Sequence, residues 1–423
     1  MYYVIKNDRQ ISGTVNISGA KNSALPLICC SILSDSKLEI GNMPNVSDVK
    51  TLTDLITDLG GAVKHEGDTI CFDNTHLNKN IAEYKLVSKM RASILTLGPL
   101  LARFNTCKVS LPGGCAIGER PVDLHIKALE KMGATITIED GYLHAKTEKG
   151  LTGSEINFEK ITVTGTENIL MAAALAHGET IINNAAREPE VVQLCDYLKS
   201  AGVKIHGHGT SQIVIQGTCS KLLKFPKVQV IPDRIEAGTY LCMSAITGEP
   251  LKVTSIEKEH LTSLVDKLVE MGCEIEFLDN TSLTIKRTGA LKPVHVRTME
   301  YPGFATDMQA QIMAVMTQAE GVSTVEENLF ENRFMHVAEL RRLGANIHLH
   351  NNMAIIEGKS ELTGTNVKAT DLRASACLVI AGLVAKGTTK ISDIYHLERG
   401  YTDLIGKVTN IGGNIFKDES QGV

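Results

Sequence analysis

Asp123–Met132 (DLHIKALEKM) sets apolar residues at helical spacing, and Gly133 ends that run before Ala134–Ile138 (ATITI), an alternating, strand-like segment. Glycine suits the position directly after a helix because it enters the left-handed conformation without a Cβ penalty. The same phrase recurs as Leu59-Gly60, Met132-Gly133, Ala201-Gly202, Met271-Gly272, Leu343-Gly344 and Ile411-Gly412, with successive glycines 68 to 73 residues apart. A period kept along the whole chain marks six copies of one unit.

The pattern extends on both sides of each glycine. Val337–Leu343 (VAELRRL) and Ala345–Leu349 repeat the helix and strand of the second copy. Upstream, a more apolar helix such as Ile169–Ala176 or Met308–Thr317 precedes a β-rich segment such as Lys108–Leu111 or Thr389–Ser392. The unit therefore reads helix, strand, loop, helix, Gly, strand, strand. Three copies end near Gln216 and the next begins near Asp233. Between them Leu222–Pro232 (LLKFPKVQVIP), with two prolines, is the expected crossing between domains. An α/β fold of two domains, each of three units closed with pseudo-threefold symmetry, suits 423 residues. An open solenoid is the alternative, but units this long with varied loops favour closure.

The net charge of −5 excludes broad electrostatic capture of nucleic acid or anionic lipid, so any basic site is local. The first nine residues are already charged, unlike a signal peptide, and no apolar run approaches the ~18 residues of a membrane span. Ala24–Leu33 and Leu378–Ala385 read as buried helices. Ten cysteines without a C-x-x-C pair or zinc-type His spacing point to a reducing cytoplasm and to no metal site. Cys29, Cys195, Cys242 and Cys377 fall within apolar helical patterns and read as core.

Two positions in the unit collect charge. At the start of the first helix stand Lys21, Arg91, Arg234 and Arg373, with Asp307 in the fifth copy, 37 to 42 residues before the unit's glycine. In the loop before the second helix stand Arg120, Arg187, Lys258, Arg333 and Arg399, 11 to 15 residues before it. A cation at a helix start is unfavourable by up to ~1 kcal/mol. A single such Arg is an ordinary surface residue, but the repeated placement points to an anion-binding cleft, because the guanidinium fork bonds carboxylate or phosphate through two N–H groups. No Walker loop, dinucleotide fingerprint or H-E-x-x-H motif is present.

The second copy has a distinctive loop, Leu111-Pro-Gly-Gly-Cys-Ala-Ile-Gly-Glu-Arg120, followed by Pro121 at the preferred first helical position. Its glycines keep Cys115 out of regular structure. A thiol with a pKa near ~8.5 is mostly protonated at neutral pH yet ionises easily, so Cys115 could act as general acid or as nucleophile; the alternative is a structural thiol.

These motifs resemble the UDP-N-acetylglucosamine 1-carboxyvinyltransferases, the enolpyruvyl transferase family that opens peptidoglycan precursor synthesis. The resemblance rests on Gly19-Ala-Lys-Asn-Ser-Ala-Leu-Pro26, Met90-Arg-Ala-Ser93, Pro112-Gly-Gly-Cys-Ala-Ile-Gly-Glu-Arg-Pro-Val-Asp-Leu-His125 and Asn184-Ala-Ala-Arg-Glu-Pro-Glu190. It continues in Pro232-Asp-Arg-Ile-Glu236, Thr306-Asp-Met-Gln-Ala-Gln311, Phe330-Glu-Asn-Arg-Phe-Met-His336, Thr370-Asp-Leu-Arg-Ala-Ser375 and Arg399-Gly-Tyr401. It implies two inside-out αβ domains, residues 21–229 forming the first and residues 1–20 with 230–423 the second.

The implied reaction moves enolpyruvyl from phosphoenolpyruvate to the sugar 3′-hydroxyl through a tetrahedral intermediate, releasing phosphate, with no cofactor or metal. By the same resemblance Lys21, Arg120 and Arg399 neutralise phosphoenolpyruvate, with Asn22 nearby and Arg373 in support. Cys115 protonates the methylene carbon, and Asp307 meets the sugar hydroxyl. Arg91, the stretch Arg120, Pro121, Val122, Asp123 and Leu124, the stretch from Lys160 through Thr162 to Val163, and Leu329 hold the UDP-sugar. One departure stands out: family members often read Ser-Val-Gly-Ala-Thr where this chain reads Thr162-Val-Thr-Gly-Thr166. The rival readings are a shikimate-phosphate enolpyruvyl transferase, which lacks the cysteine loop, a non-catalytic scaffold, and a nucleic-acid end-processing enzyme, which needs a basic surface.

Overall fold

The architecture is visible in any one unit of the computed structural model, which describes residues 1–87, 90–111 and 122–419. In the third copy, strand Glu155–Asn157 leads into helix Val163–Ala174, strand Glu179–Asn183, helix Pro189–Ser200 and the hairpin of Lys204–His206 with Gln212–Gln216. Glu155–Asn157 runs parallel to Glu179–Asn183, which pairs antiparallel with Gln212–Gln216, which in turn pairs antiparallel with Lys204–His206. Among the described residues this four-stranded order occurs six times, once per copy.

The two helices of a unit differ for a reason readable in their side chains. Val163–Ala174 is buried continuously from Gly165 onward and Arg234–Thr247 from Ile235 through Ile246. A helix apolar on all sides must be enclosed, and these first helices form the interior of their domain. The second helices, such as Ser47–Asp58 and Thr262–Glu270, bury one face and leave the other in water. Each then stops at its repeat glycine: Gly60, Gly133, Gly202, Gly272, Gly344 and Gly412 all take φ between +92° and +104°. That conformation is strained for any residue with a Cβ, which is why the glycine recurs.

The helices begin earlier than the apolar pattern alone suggested. The segment Ile169–Ala176 belongs to a helix that starts at Val163, and Met308–Thr317 is preceded by a 3-10 turn at Thr306–Met308. The polar first turns carry the candidate site residues, so hydropathy undercounts them. The unit also has a short edge strand ahead of its first helix that the sequence reading did not include.

The described residues divide into two compact units. One spans residues 19–231; the other joins Met1–Ser18 to residues 232–419. Each has its own hydrophobic core. Strands from distant parts of the chain complete both units. Val228–Gln229, at the end of the third copy, lies parallel to Lys37–Gly41 of the first. Gly13–Asn16 lies parallel to Leu251–Thr254 of the fourth copy. Tyr2–Lys6 inserts between Thr388–Ser392 and Asn414–Asp418 as the last strand of the sixth. The segment Leu222–Pro232 thus lays down an edge strand before it crosses. Among the described residues, no helix is long and apolar enough to cross a membrane.

Candidate active site

In the second domain the charges converge on Asp307. It sits in the 3-10 turn Thr306–Met308, ahead of helix Gln309–Met316. Arg333, from the loop before helix His336–Arg342, reaches Asp307 Oδ1 at 2.6 Å and donates to Thr306 Oγ1 at 3.1 Å. Arg373, in the first turn of helix Leu372–Gly382, contacts Asp307 Oδ2 through Nε and Nη2, both at 3.3 Å. That first turn is held by Asp371, whose carboxylate caps the N–H groups of Arg373 and Ala374. Arg333 and Arg373 are 6% and 3% exposed, so nearly all of their charge compensation must come from protein groups. Burial opposes the Arg373 charge, but Asp307, with Tyr401 and Asp233 adding to it, outweighs burial and raises its pKa further. Its Nη1 is buried and has no well-formed hydrogen bond among the described residues, and the Tyr401 side chain lies beside the guanidinium. Beside this group, buried Glu327 accepts from Thr298, Thr306 and the backbone N–H groups of Leu329 and Phe330, which fixes the segment bearing Leu329.

In the first domain Lys21 opens helix Lys21–Cys30, with Asn22 half-buried beside it. The Lys21 ammonium is buried against Asp48, 3.3 Å away, in the first turn of helix Ser47–Asp58. Arg91 starts the 3-10 turn Arg91–Thr96 and is half-buried. Val122, Asp123 and Leu124 form the start of helix Asp123–Lys131, and Lys127 lies 3.6 Å from Asp123 and 3.7 Å from Glu159. Lys160 is exposed, and Thr162 caps helix Val163–Ala174 by accepting from Gly165 N at 3.1 Å. Arg399 follows the short helix Tyr395–Glu398 and is half-buried. Cys115, Arg120 and Pro121 lie outside the described residues.

The structure adds a rule that reading the charges singly did not supply. Asp48 stands 12 residues before Gly60, at the position where other copies carry Arg or Lys. In the first copy the pair is therefore Lys21 with Asp48, and in the fifth Asp307 with Arg333. The unit's two charge positions meet as an ion pair wherever one of them is acidic. The idea that helix-start cations oppose the fold needs correcting for Lys21, because a neighbouring carboxylate compensates it. Asp48 was the residue missed, and its signal was the sign reversal at a fixed distance from the glycine. Glu327 was also missed; nothing in its sequence surroundings set it apart. Among the described residues no group of three or more His, Cys, Asp or Glu side chains is placed to hold a metal.

The model of the EPSP synthase (3-phosphoshikimate 1-carboxyvinyltransferase) family matches residues 5–408. The chain belongs to this enolpyruvyl transferase family. Within it, the UDP-N-acetylglucosamine 1-carboxyvinyltransferase of Aliarcobacter butzleri is 57% identical over 419 residues, 99% of each chain. That of Sulfurovum sp. is 56% identical over 420 residues, again 99% of each. The solved enolpyruvyl transferase NikO from Streptomyces tendae superposes with a TM-score of 0.88 over 98% of both chains at 24% identity, a likeness of fold. The six-unit, two-domain α/β architecture is thus that of the enolpyruvyl transferases.

Proposed function

We propose that this enolpyruvyl transferase acts on UDP-N-acetylglucosamine, adding its 3′-hydroxyl oxygen to C2 of phosphoenolpyruvate and then expelling phosphate. The observation that carries the choice of acceptor is the 53–57% identity, over 97–99% of this chain, to proteins named for that reaction.

In this reading Lys21, Arg120 and Arg399 neutralise the phosphate and carboxylate of phosphoenolpyruvate, Asn22 lies beside them, and Arg373 supports them. Asp307, oriented by Arg333 and Arg373, holds the sugar hydroxyl. As the new C–O bond forms the hydroxyl becomes acidic, and in this reading Asp307 accepts its proton. Cys115 delivers a proton to the methylene carbon of phosphoenolpyruvate, giving a tetrahedral adduct. Loss of a methyl proton and cleavage of the C–O bond to phosphate then restore the C=C bond, now as the enol ether of the sugar. Arg91, Arg120 to Leu124, Lys160, Thr162, Val163 and Leu329 hold the UDP-sugar. The same reading puts the enzyme in the cytoplasm, a reducing setting that suits nine described cysteines, all free.

The test is phosphate release from phosphoenolpyruvate, measured with UDP-N-acetylglucosamine and separately with shikimate 3-phosphate. Release dependent on the UDP-sugar alone is expected; release only with shikimate 3-phosphate, or with neither, overturns the assignment.

A further inference from the structure

His125 ends the motif that begins at Pro112, yet no step above uses it. It is 3% exposed, on helix Asp123–Lys131. Its partner is Asn168, 0% exposed, on helix Val163–Ala174. Asn168 Oδ1 faces the Gly98 N–H at 2.6 Å, and its Nδ2 faces the Ile94 carbonyl at 2.8 Å and His125 Nδ1 at 3.0 Å. A backbone N–H only donates and a carbonyl only accepts, so these two contacts fix the orientation of the amide independently. His125 Nδ1 therefore faces a donor and must be the bare, accepting nitrogen. The ring's single proton sits on Nε2, which lies 3.3 Å from Thr164 Oγ1. Burial and then Arg91, opposed by Asp123, hold the His125 pKa down to about 4, which agrees with a neutral ring. The junction is tight as well, since a Cβ at Gly98 would collide with Asn168.

Three chain segments meet at this relay. They are Arg91–Thr96 with the start of Leu97–Phe104, helix Asp123–Lys131, and helix Val163–Ala174. Each carries at one end a part of the proposed UDP-sugar site: Arg91, Val122 to Leu124, and Lys160 to Val163. We propose that His125 and Asn168 are positioning residues for the nucleotide sugar, the neutral Nε2–H tautomer of His125 setting the three segments in register for binding. The proposal rests on the function proposed above. Neither side chain needs to touch the ligand. Their part is to hold in one arrangement segments that would otherwise have to be ordered at the moment of binding.

Two measurements on the full chain test it. The first compares Thr164→Val, which removes the oxygen facing Nε2 while keeping the side chain's shape, with Thr164→Ser, which restores a hydroxyl. Thr164→Val is expected to raise the KM for UDP-N-acetylglucosamine about threefold to tenfold, the worth of one partly buried hydrogen bond. kcat and the KM for phosphoenolpyruvate should hold, and Thr164→Ser should recover the loss. A merely structural role would move the unfolding temperature without this split. The second is the ¹⁵N NMR signature of the His125 ring in histidine-labelled wild-type protein at pH 7, expected to show a bare Nδ1 and a protonated Nε2. An Nδ1–H or doubly protonated ring, or a Thr164→Val enzyme with unchanged KM for the UDP-sugar, overturns the proposal. Wild-type protein that fails to turn over the UDP-sugar at all would instead remove the function on which it rests.

Discussion

Replacing Asp307 by asparagine keeps the shape of the side chain and removes the charge that two guanidiniums share. In Asp307→Asn one amide face is an NH₂ group, which must point its hydrogens at Arg333 or at Arg373. Both arginines are almost fully buried, so each loses compensation it cannot recover from water. Removing one partner of a fully buried pair costs about 3–5 kcal/mol. The Asp307 side chain is 27% exposed, and solvent screening reduces the figure to about 2–3 kcal/mol. In a domain of this size that lowers the unfolding temperature by roughly 4–12 °C. The chemical loss should be larger than the structural one. An acceptor for the hydroxyl proton contributes about 10²- to 10⁴-fold, so kcat should fall by that factor at temperatures where the variant is still folded. Calorimetry and a continuous phosphate-release assay measure the two effects separately. A variant that unfolds at the wild-type temperature and turns over at the wild-type rate would refute both the ion-pair reasoning and the assignment of Asp307.

Lys21→Ala and Arg399→Ala should reduce kcat/KM for phosphoenolpyruvate by about 10- to 100-fold each, and Arg120→Lys should also be poorly tolerated for want of a planar fork; near-normal kinetics in all three would remove the anion site. A phosphonate epoxide that mimics phosphoenolpyruvate, such as fosfomycin, should alkylate Cys115, faster with the UDP-sugar present, and Cys115→Asp should resist it. Among the described thiols Cys219 is exposed and Cys71 partly so, while burial pushes Cys107 up to about 12 and Cys29 and Cys377 well above the usual range. Label found by mass spectrometry on Cys219 in place of Cys115 would mean that exposure, not orientation, governs the reaction. Glu167 is 2% exposed, its Oε1 has no hydrogen-bond partner among the described residues, and burial, then Glu190 and Glu188, raise its pKa well above the ordinary value of 4.5. A raised carboxyl pKa gives stability that is present below about pH 4.5 and is lost as pH rises toward the folded value, at about 1.4 kcal/mol per pH unit. Glu167→Gln should therefore gain on wild type as pH rises above about 4.5 in urea unfolding, and parallel stability curves would contradict this.

The parts of the molecule legible in the sequence are those where backbone geometry allows few residues. Six helices end in a conformation that demands glycine, so the repeat is written as glycines with a steady spacing. The edge strands were illegible for the opposite reason. Val228–Gln229 and Ile81–Ala82 are two residues long, too short to show any alternation. Cations could be located by their distance from the glycine, but not their partners: Lys21 with Asp48 is a contact across 27 residues, and Arg373 with Asp307 one across 66. His125 offered no signal of its own, because one histidine on a half-apolar helix most often fills a core. Its meaning came only with Asn168, whose two backbone contacts decide which nitrogen of the ring carries the proton.

The insertion of Tyr2–Lys6 beside Asn414–Asp418 bears on how the chain is made. A ribosome releases the first strand early and its neighbour about 400 residues later, roughly 20–80 s afterwards at ordinary elongation rates. Residues 19–231 include their own closing strand and can complete their domain during that interval. Met1–Ser18 cannot, because every sheet it joins is still unmade. The nascent chain thus trails a β-prone segment of open hydrogen-bonding groups, Tyr2-Tyr-Val-Ile-Lys6, ahead of a finished domain. Joining the C-terminal strand to Tyr2 through a short turn and opening the chain at Gly19 would let each domain close as it emerges, and such a permutant should refold faster and aggregate less. Equal refolding yields for the permuted and natural orders would show that the waiting strand carries no penalty.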